Sequence, residues 1–329
     1  MKAVLCKAFG PPETLVMDDV APPSVGNNQV CIDVHAAGLN FPDILLVEGR
    51  YQGSPPFPFI PGLEVAGIVS EVGANVTSPA VGQRVVASTG GQGGFAEQVA
   101  VNADSVYPIS ERLGFKRAAA VPVTYGTAYH ALVDRGRLKA GEWLLVHGAG
   151  SGVGLCAVEL GKHLGARVIA AAGSPEKLVA ARQYGADELL DSRELPRFRD
   201  RVKAITGSDG ADVIFDPVGG ATFDESMRCI NWRGRLLVVG FASGAIPQLA
   251  VNLALLKGCE VVGVFNGAFM KRQPQASRAN YETLLRWVEL DHLRPMISQT
   301  FCLDQVPEAM AKLAARKATG KIVIKVRNG

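Results

Sequence analysis

The sequence predicts an α/β protein: a doubly wound parallel sheet joined to a second, β-rich barrel-like domain. Three observations predict it. From residue 143 onward, apolar strand patterns alternate with helical ones, the order that builds parallel strands with right-handed crossovers. Residues 1–120 instead carry short apolar or alternating runs punctuated by proline and glycine, as small barrels do. Between them lies Trp143-Leu-Leu-Val-His-Gly-Ala-Gly-Ser-Gly-Val-Gly154, an apolar run that ends in glycines at every second position.

In chain order, the first part has expected strands at 2–6, 29–36, 63–72, 83–88 and 95–101. Pro22-Pro23, Pro55-Pro56, Pro61-Gly62 and Gly90-Gly-Gln-Gly-Gly94 separate them, the last as a hairpin turn. Residues 117–135 read as helical with a break at Pro122. Strands then follow at 143–148, 167–172, 188–191, 212–216, 235–241 and 259–265, with helices near 153–164, 175–184, 195–205 and 222–230. A long helix near 276–291, a strand near 297–303, a helix near 307–316 and a last strand at 321–326 close the chain. That last strand lies too far past the sheet to extend it simply, so it is assigned back to the first domain, which becomes discontinuous. Lys312, Arg316, Lys317, Lys321, Lys325 and Arg327 make this end mildly basic and read mostly as a solvated face.

A chain of 329 residues is long enough for two domains. Net charge is only +3, and no basic block interleaves with aromatics, so no nucleic-acid partner is expected. The cysteines at 6, 31, 156, 229, 259 and 302 include no C-x-x-C and no short metal-ligand spacing, which suits free thiols in a reducing compartment. Residues 236–256 are uncharged but broken by Gly240, Gly244, Pro247 and Asn252, unlike a spanning helix. The N-terminus is too short and too charged for a signal peptide. A soluble cytoplasmic protein without membrane contact is expected.

The glycine-rich turn carries the first functional signal. Gly150, Ser151, Gly152, Val153 and Gly154 stand where a strand hands over to a helix N-terminus. Free N–H groups and a partial positive charge there hold a pyrophosphate. Both Gly152-x-Gly154-x-x-Ala157 and Ala149-x-Ser151-x-x-Gly154 fit the motif, and its register stays open. The next strand ends in Ala172-Gly173-Ser174, followed by Lys177. An NAD site usually places a carboxylate there. A hydroxyl and an ammonium suit the extra phosphate of NADPH instead. Ser174-Pro175 also reads as a helix start.

With both domains in view, the chain resembles the medium-chain dehydrogenase/reductase superfamily, and within it the zinc-independent quinone oxidoreductase (zeta-crystallin-like) branch. The residues that carry this are Gly38-Leu-Asn-Phe-Pro-Asp43, Pro61-Gly-Leu-Glu-Val-Ala-Gly67, Gly90 to Glu97, Ala118 to Leu132, the glycine-rich turn, and Arg316-Lys-Ala-Thr-Gly-Lys-Ile-Val-Ile324. The resemblance implies a GroES-like catalytic domain over 1–123 and 267–329 and a Rossmann NADP-binding domain over 124–266. It implies Gly173, Ser174, Lys177 and Arg316 around the 2′-phosphate, with Ser192 where the family often has a tyrosine. Thr127 is expected at the nicotinamide end. Gly240, Phe241, Val264, Phe265 and Asn266 fall where strand ends meet the cofactor. A homodimer through the 259–265 edge is implied as well.

The superfamily's alcohol dehydrogenases bind a catalytic zinc, with ligands that would lie near Asn40, Leu63 and 122–125. Asn40 stands where a cysteine would be, Leu63 where a histidine would be, and no cysteine lies between 32 and 155. No metal site is expected. Cys31 and His35 on one strand face, and His130 and His147, read as packed side chains, His147 with a second reading near the phosphates. Without a metal, the expected reaction is hydride addition from NADPH to a quinone, enone or enoyl thioester. The developing oxyanion needs hydrogen-bond donors; Asn40 and Tyr51 are the candidates, and the family places an asparagine and a tyrosine near the nicotinamide. Asn40 also reads as the cap of a helix at Phe41. The basic group Lys271, Arg272 and Arg278 reads as an exposed loop with solvated charges, with service to an acyl-carrier substrate as the second reading, and the family leaves open a non-enzymatic NADPH-binding or RNA-associated role.

Overall fold

Short apolar runs pair locally at the start of the chain. The computed structural model describes residues 1–53, 55–193 and 198–327, and the chain divides into a first unit, 1–123 with 274–329, and a second, 124–273.

The first unit opens with β1 (Lys2–Leu5) against β2 (Val16–Asp19). β3 (Gln29–Leu39) runs past the expected 36, because register shifts between Cys31 and Ile32 and between Val34 and Ala36 let it bend and continue. Helix α1 (Phe41–Val47) follows at once, with Pro42 in its first turn. Then come β4 (Glu64–Val72), β5 (Arg84–Ser88), β6 (Gln98–Asn102), β7 (Val106–Pro108) and α2 (Phe115–Ala118).

The second unit starts with α3 (Thr124–Tyr129), continued by a π-helical turn over His130–Arg135. Strands and helices then alternate as β8 (Trp143–His147), α4 (Gly152–His163), β9 (Arg167–Ala172), α5 (Pro175–Gln183) and β10 (Glu188–Asp191). They continue as α6 (Phe198–Thr206), β11 (Ala211–Asp216), α7 (Ala221–Cys229), β12 (Ile230–Val238), α8 (Val251–Lys257), β13 (Glu260–Gly263) and α9 (Asn266–Arg272). Positions 195–197 of the expected 195–205 helix lie outside the described residues. All pairings here are parallel, in the order β10-β9-β8-β11-β12-β13. Strand order reverses between β8 and β11, and such a switch point opens a ligand crevice at the carboxyl ends. Leu145, Ile169, Ile214 and Leu236 form the buried core of this sheet.

The chain then returns through α10 (Pro274–Glu289), β14 (Ile297–Cys302), α11 (Val306–Ala314) and β15 (Lys321–Lys325). β15 pairs with the end of β3, so the last strand completes the first unit's sheet, β14-β15-β3-β4-β5-β7. The second unit runs to Gln273, and within it Phe269 of α9 stacks on His130 at 4.0 Å. Strand β12 ends at Val238, not 241, leaving Gly240 and Phe241 in the loop beyond it. Helix α8 was not among the expected elements; its Val251, Leu255 and Leu256 are exposed, so no amphipathic period marks it.

Candidate functional site

In the second unit the site is built from backbone. β8 ends at His147, Gly148 takes a positive φ of 59°, and α4 begins at Gly152. Ser151 is the helix cap: its hydroxyl accepts from the Gly154 N–H at 3.2 Å. A side chain at Gly154 would run into the Gly148 carbonyl, so only glycine lets the helix start close against the strand end. Ser151, Gly152 and Val153 are half-buried, which leaves the first turn of α4 open to an anion at the switch point.

The 2′-phosphate candidates gather at the next two strand ends. The Lys177 stem lies on Gly150, where a Cβ would overlap its Cβ and Cγ. Ser174 caps α5, accepting from the Lys177 N–H at 3.4 Å. Ser192 Oγ lies 3.5 Å from where a Gly173 side chain would begin. The structure therefore brings Gly150, Gly173, Ser174, Lys177 and Ser192 together. Glu176 shares Ser174: its own N–H and the Ser174 hydroxyl hold its carboxyl below the usual range. Arg193, which the sequence did not single out, grips Asp191 with Nε–Oδ1 at 2.9 Å and Nη2–Oδ2 at 2.5 Å. That pairing lowers the Asp191 carboxyl to about 2. Arg193's place directly after Ser192 was the available signal.

Thr127 is half-buried in α3, Gly240 lies past β12, and Phe241 sits beside Gly219. Val264 follows β13, and Phe265 and Asn266 open α9, with the Phe265 ring exposed. His147 is buried and bonds Ser226 at 2.8 Å rather than facing the phosphate turn; burial lowers its pKa and keeps it neutral. His130 bonds Asp134 at 2.7 Å. Asp216 caps the Val218 and Gly219 N–H groups at 2.8 and 2.9 Å.

In the first unit the site is built from side chains. Asn40 lies between the end of β3 and the start of α1, and Asp43 Oδ2 accepts its backbone N–H at 2.8 Å. Its side-chain amide is held at both ends: Nδ2 donates to Glu64 Oε1 at 2.7 Å and, over a longer 3.3 Å, to Gly38 O, and Oδ1 accepts from Lys321 Nζ at 2.5 Å. Lys321 also bonds Glu64 Oε1. This corrects the expected solvated face, since Lys321 is only 5% exposed. A charge inside the apolar runs Leu63-Glu64-Val65 and Lys321-Ile-Val-Ile was the signal that could have found the pair. Asp43 is wholly buried with Oδ1 unpartnered, and burial pushes its carboxyl to about 8. Tyr51 is half-buried; burial, and then the Asp43 charge, raise its pKa, so its hydroxyl stays protonated near neutrality. Arg316 lies in this unit, exposed, at a φ of 58°. Arg278 donates to the carbonyls of Asp104 and Val106 at 3.2 and 3.3 Å and packs over Tyr107.

Two family models match: the alcohol dehydrogenase GroES-like domain over residues 26–111 and zinc-binding dehydrogenase over 152–289. The chain is 40% identical to a quinone oxidoreductase-like protein 2 homolog of Nematostella vectensis, covering 99% of this chain and 89% of that one. It is 33% identical to human quinone oxidoreductase over 98% and 97% of the two chains. The crystal structure of Escherichia coli quinone oxidoreductase complexed with NADPH superposes with a TM-score of 0.92 at 27% identity, covering 99% and 100%.

The second model's name implies zinc, and the residues here do not fit it. Asn40 is committed to Glu64, Gly38 and Lys321. Both Glu64 oxygens are taken, Oε2 by the Val123 N–H at 2.7 Å. Leu63 offers no donor atom. Among the described residues no group of three His, Cys, Asp or Glu side chains converges, as tetrahedral zinc requires. Among the described residues, no helix is long and apolar enough to cross a membrane.

Proposed function

This chain belongs to the quinone oxidoreductase branch of the medium-chain dehydrogenase/reductase superfamily, and from that premise we propose that it reduces quinones or other conjugated carbonyls with NADPH and without zinc. The observation that carries this reading is the end of β9. The strand runs into Gly173 and Ser174 with no acidic residue at either position; Ser174 and Lys177 lie beside Gly150 and Gly173, and the Glu176 carboxyl is turned onto the Ser174 hydroxyl. That chemistry favours a dinucleotide with a 2′-phosphate.

The N–H groups at the start of α4, from Ser151 to Gly154, hold the pyrophosphate. Gly173, Ser174, Lys177 and Ser192 hold the 2′-phosphate, with Ser192 replacing an aromatic contact by a hydroxyl. Thr127, Gly240, Phe241, Val264, Phe265 and Asn266 line the nicotinamide end. NADPH, when bound, supplies the hydride. The oxygen of the reduced carbonyl then needs donors. Asn40 offers an amide hydrogen, and Tyr51 offers a hydroxyl that burial keeps protonated. A symmetric dimer through β13 fits too, since β13 pairs only with β12 among the described residues and an open edge favours a partner; light scattering of the purified protein tests it.

The activity test follows NADPH absorbance with a quinone, an enone and an enoyl thioester. Turnover of the first or second supports the reading. Turnover confined to the thioester reassigns the substrate. NADH preferred over NADPH in a binding titration overturns the cofactor assignment.

A further inference from the structure

Asn40 is held by groups that strand pairing brings to it from two distant stretches of chain. Gly38, near the end of β3, pairs with Glu64 on one side and Val323 on the other. The starts of β4 and β15 therefore flank Asn40, and they bring a carboxylate and an ammonium to it across 281 residues of sequence. Room for this comes from Gly38, where a side chain would collide with Glu64 Oε1 and Ala119 O.

Lysine has only donors and a carboxylate only acceptors. The amide between them has one satisfied orientation, with its oxygen on Lys321 and its nitrogen on Glu64. One amide hydrogen is committed to Glu64 at 2.7 Å. The other makes the longer 3.3 Å contact with Gly38 O and is the one that can be re-aimed. A full positive charge on the amide oxygen also draws density from the nitrogen and strengthens its N–H as a donor.

We propose that Lys321 is a positioning residue for the reduction: its ammonium locks and polarises the Asn40 amide, which then presents its second hydrogen to the oxygen of the substrate carbonyl. This rests on the reading of Asn40 as an oxyanion donor. The rival role for Lys321 is charge balance alone, because a buried Glu64 without a cation would be costly.

Lys321→Met by itself leaves that buried charge and is expected to fold poorly. The deciding variant is Lys321→Met with Glu64→Gln, a neutral pair of similar size. It is expected to melt near the wild type and to keep the NADPH dissociation constant, while kcat falls roughly tenfold or more, the scale of weakening one oxyanion donor. A kcat restored to the wild-type value in that variant overturns the proposal. The Asn40 side-chain amide resonances are expected to shift between wild type and the double variant; unshifted resonances overturn it as well. If wild type turns over no acceptor, the functional reading fails, and the resonances alone decide the Lys321 contact.

Discussion

The two units build their candidate sites from different materials. In the second, the site is backbone: Gly148, Gly150 and Gly154 let a strand end, a turn and a helix start come close enough to expose N–H groups. In the first, the site is a knot of buried side chains, Asn40, Asp43, Glu64 and Lys321, drawn from three separate stretches of chain. A backbone site tolerates almost no change at its glycines but borrows its specificity from replaceable side chains. A side-chain knot couples its members, so that no residue in it acts alone.

The largest expected effect tests the first half of this. Gly154→Ala forces a methyl group onto the Gly148 carbonyl. It is expected to cost about 1–3 kcal/mol of stability and to lower NADPH affinity more than tenfold, read by denaturant unfolding and calorimetry. An unperturbed variant would break the comparison. Next comes Lys177→Ala, which leaves the turn intact. Losing a hydrogen bond to a charged group is worth about 1.5–3 kcal/mol, so NADPH binding should weaken roughly 10- to 100-fold while NADH binding stays level. Equal losses for both dinucleotides would mean that Lys177 supports the turn through its stem on Gly150 and not the phosphate.

The same contrast decides what was legible in the sequence. The glycine spacing and the alternation after 143 are local signals, and the parallel sheet with its switch point follows from them. The lack of an acidic residue at Gly173 and Ser174 is local too. Lys321 is different. Its partners Asn40 and Glu64 become neighbours only once β15 pairs with β3 and β3 with β4, and nothing near residue 321 announces that. Helix α8 was missed for the opposite reason: its apolar residues face outward, and periodicity finds only helices that bury a face.

A smaller effect sharpens the side-chain half through pH. Asp43 has its carboxyl raised by burial from 3.8 to about 8, against the pull of the Asn40 N–H and Lys321. Between those values the native state keeps a proton that the unfolded chain has lost, so Asp43 makes stability fall as pH rises, by at most about 1.4 kcal/mol per pH unit. Asp43→Asn removes the titrating group. Its unfolding midpoint relative to wild type should therefore climb from about pH 5 to about pH 8. A constant difference across that window would show that Asp43 is ionised throughout and that the knot carries two carboxylates against one ammonium.

The smallest effect expected is none, and it bears on what the knot replaces. A zinc-dependent reductase loses turnover to a chelator because the metal polarises the carbonyl. Here the atoms that would have to bind such an ion are already spent: Asn40 on Glu64, Gly38 and Lys321, and both Glu64 oxygens on Lys321, Asn40 and Val123. To admit a divalent cation, the site would have to release the Lys321 ammonium or carry two adjacent positive charges around one carboxylate. Turnover is therefore expected to survive prolonged chelation and desalting, and added zinc should not raise it. Loss of activity restored by one equivalent of zinc would mean that the lysine moves aside, and the first unit would then be a metal centre rather than a metal-free one.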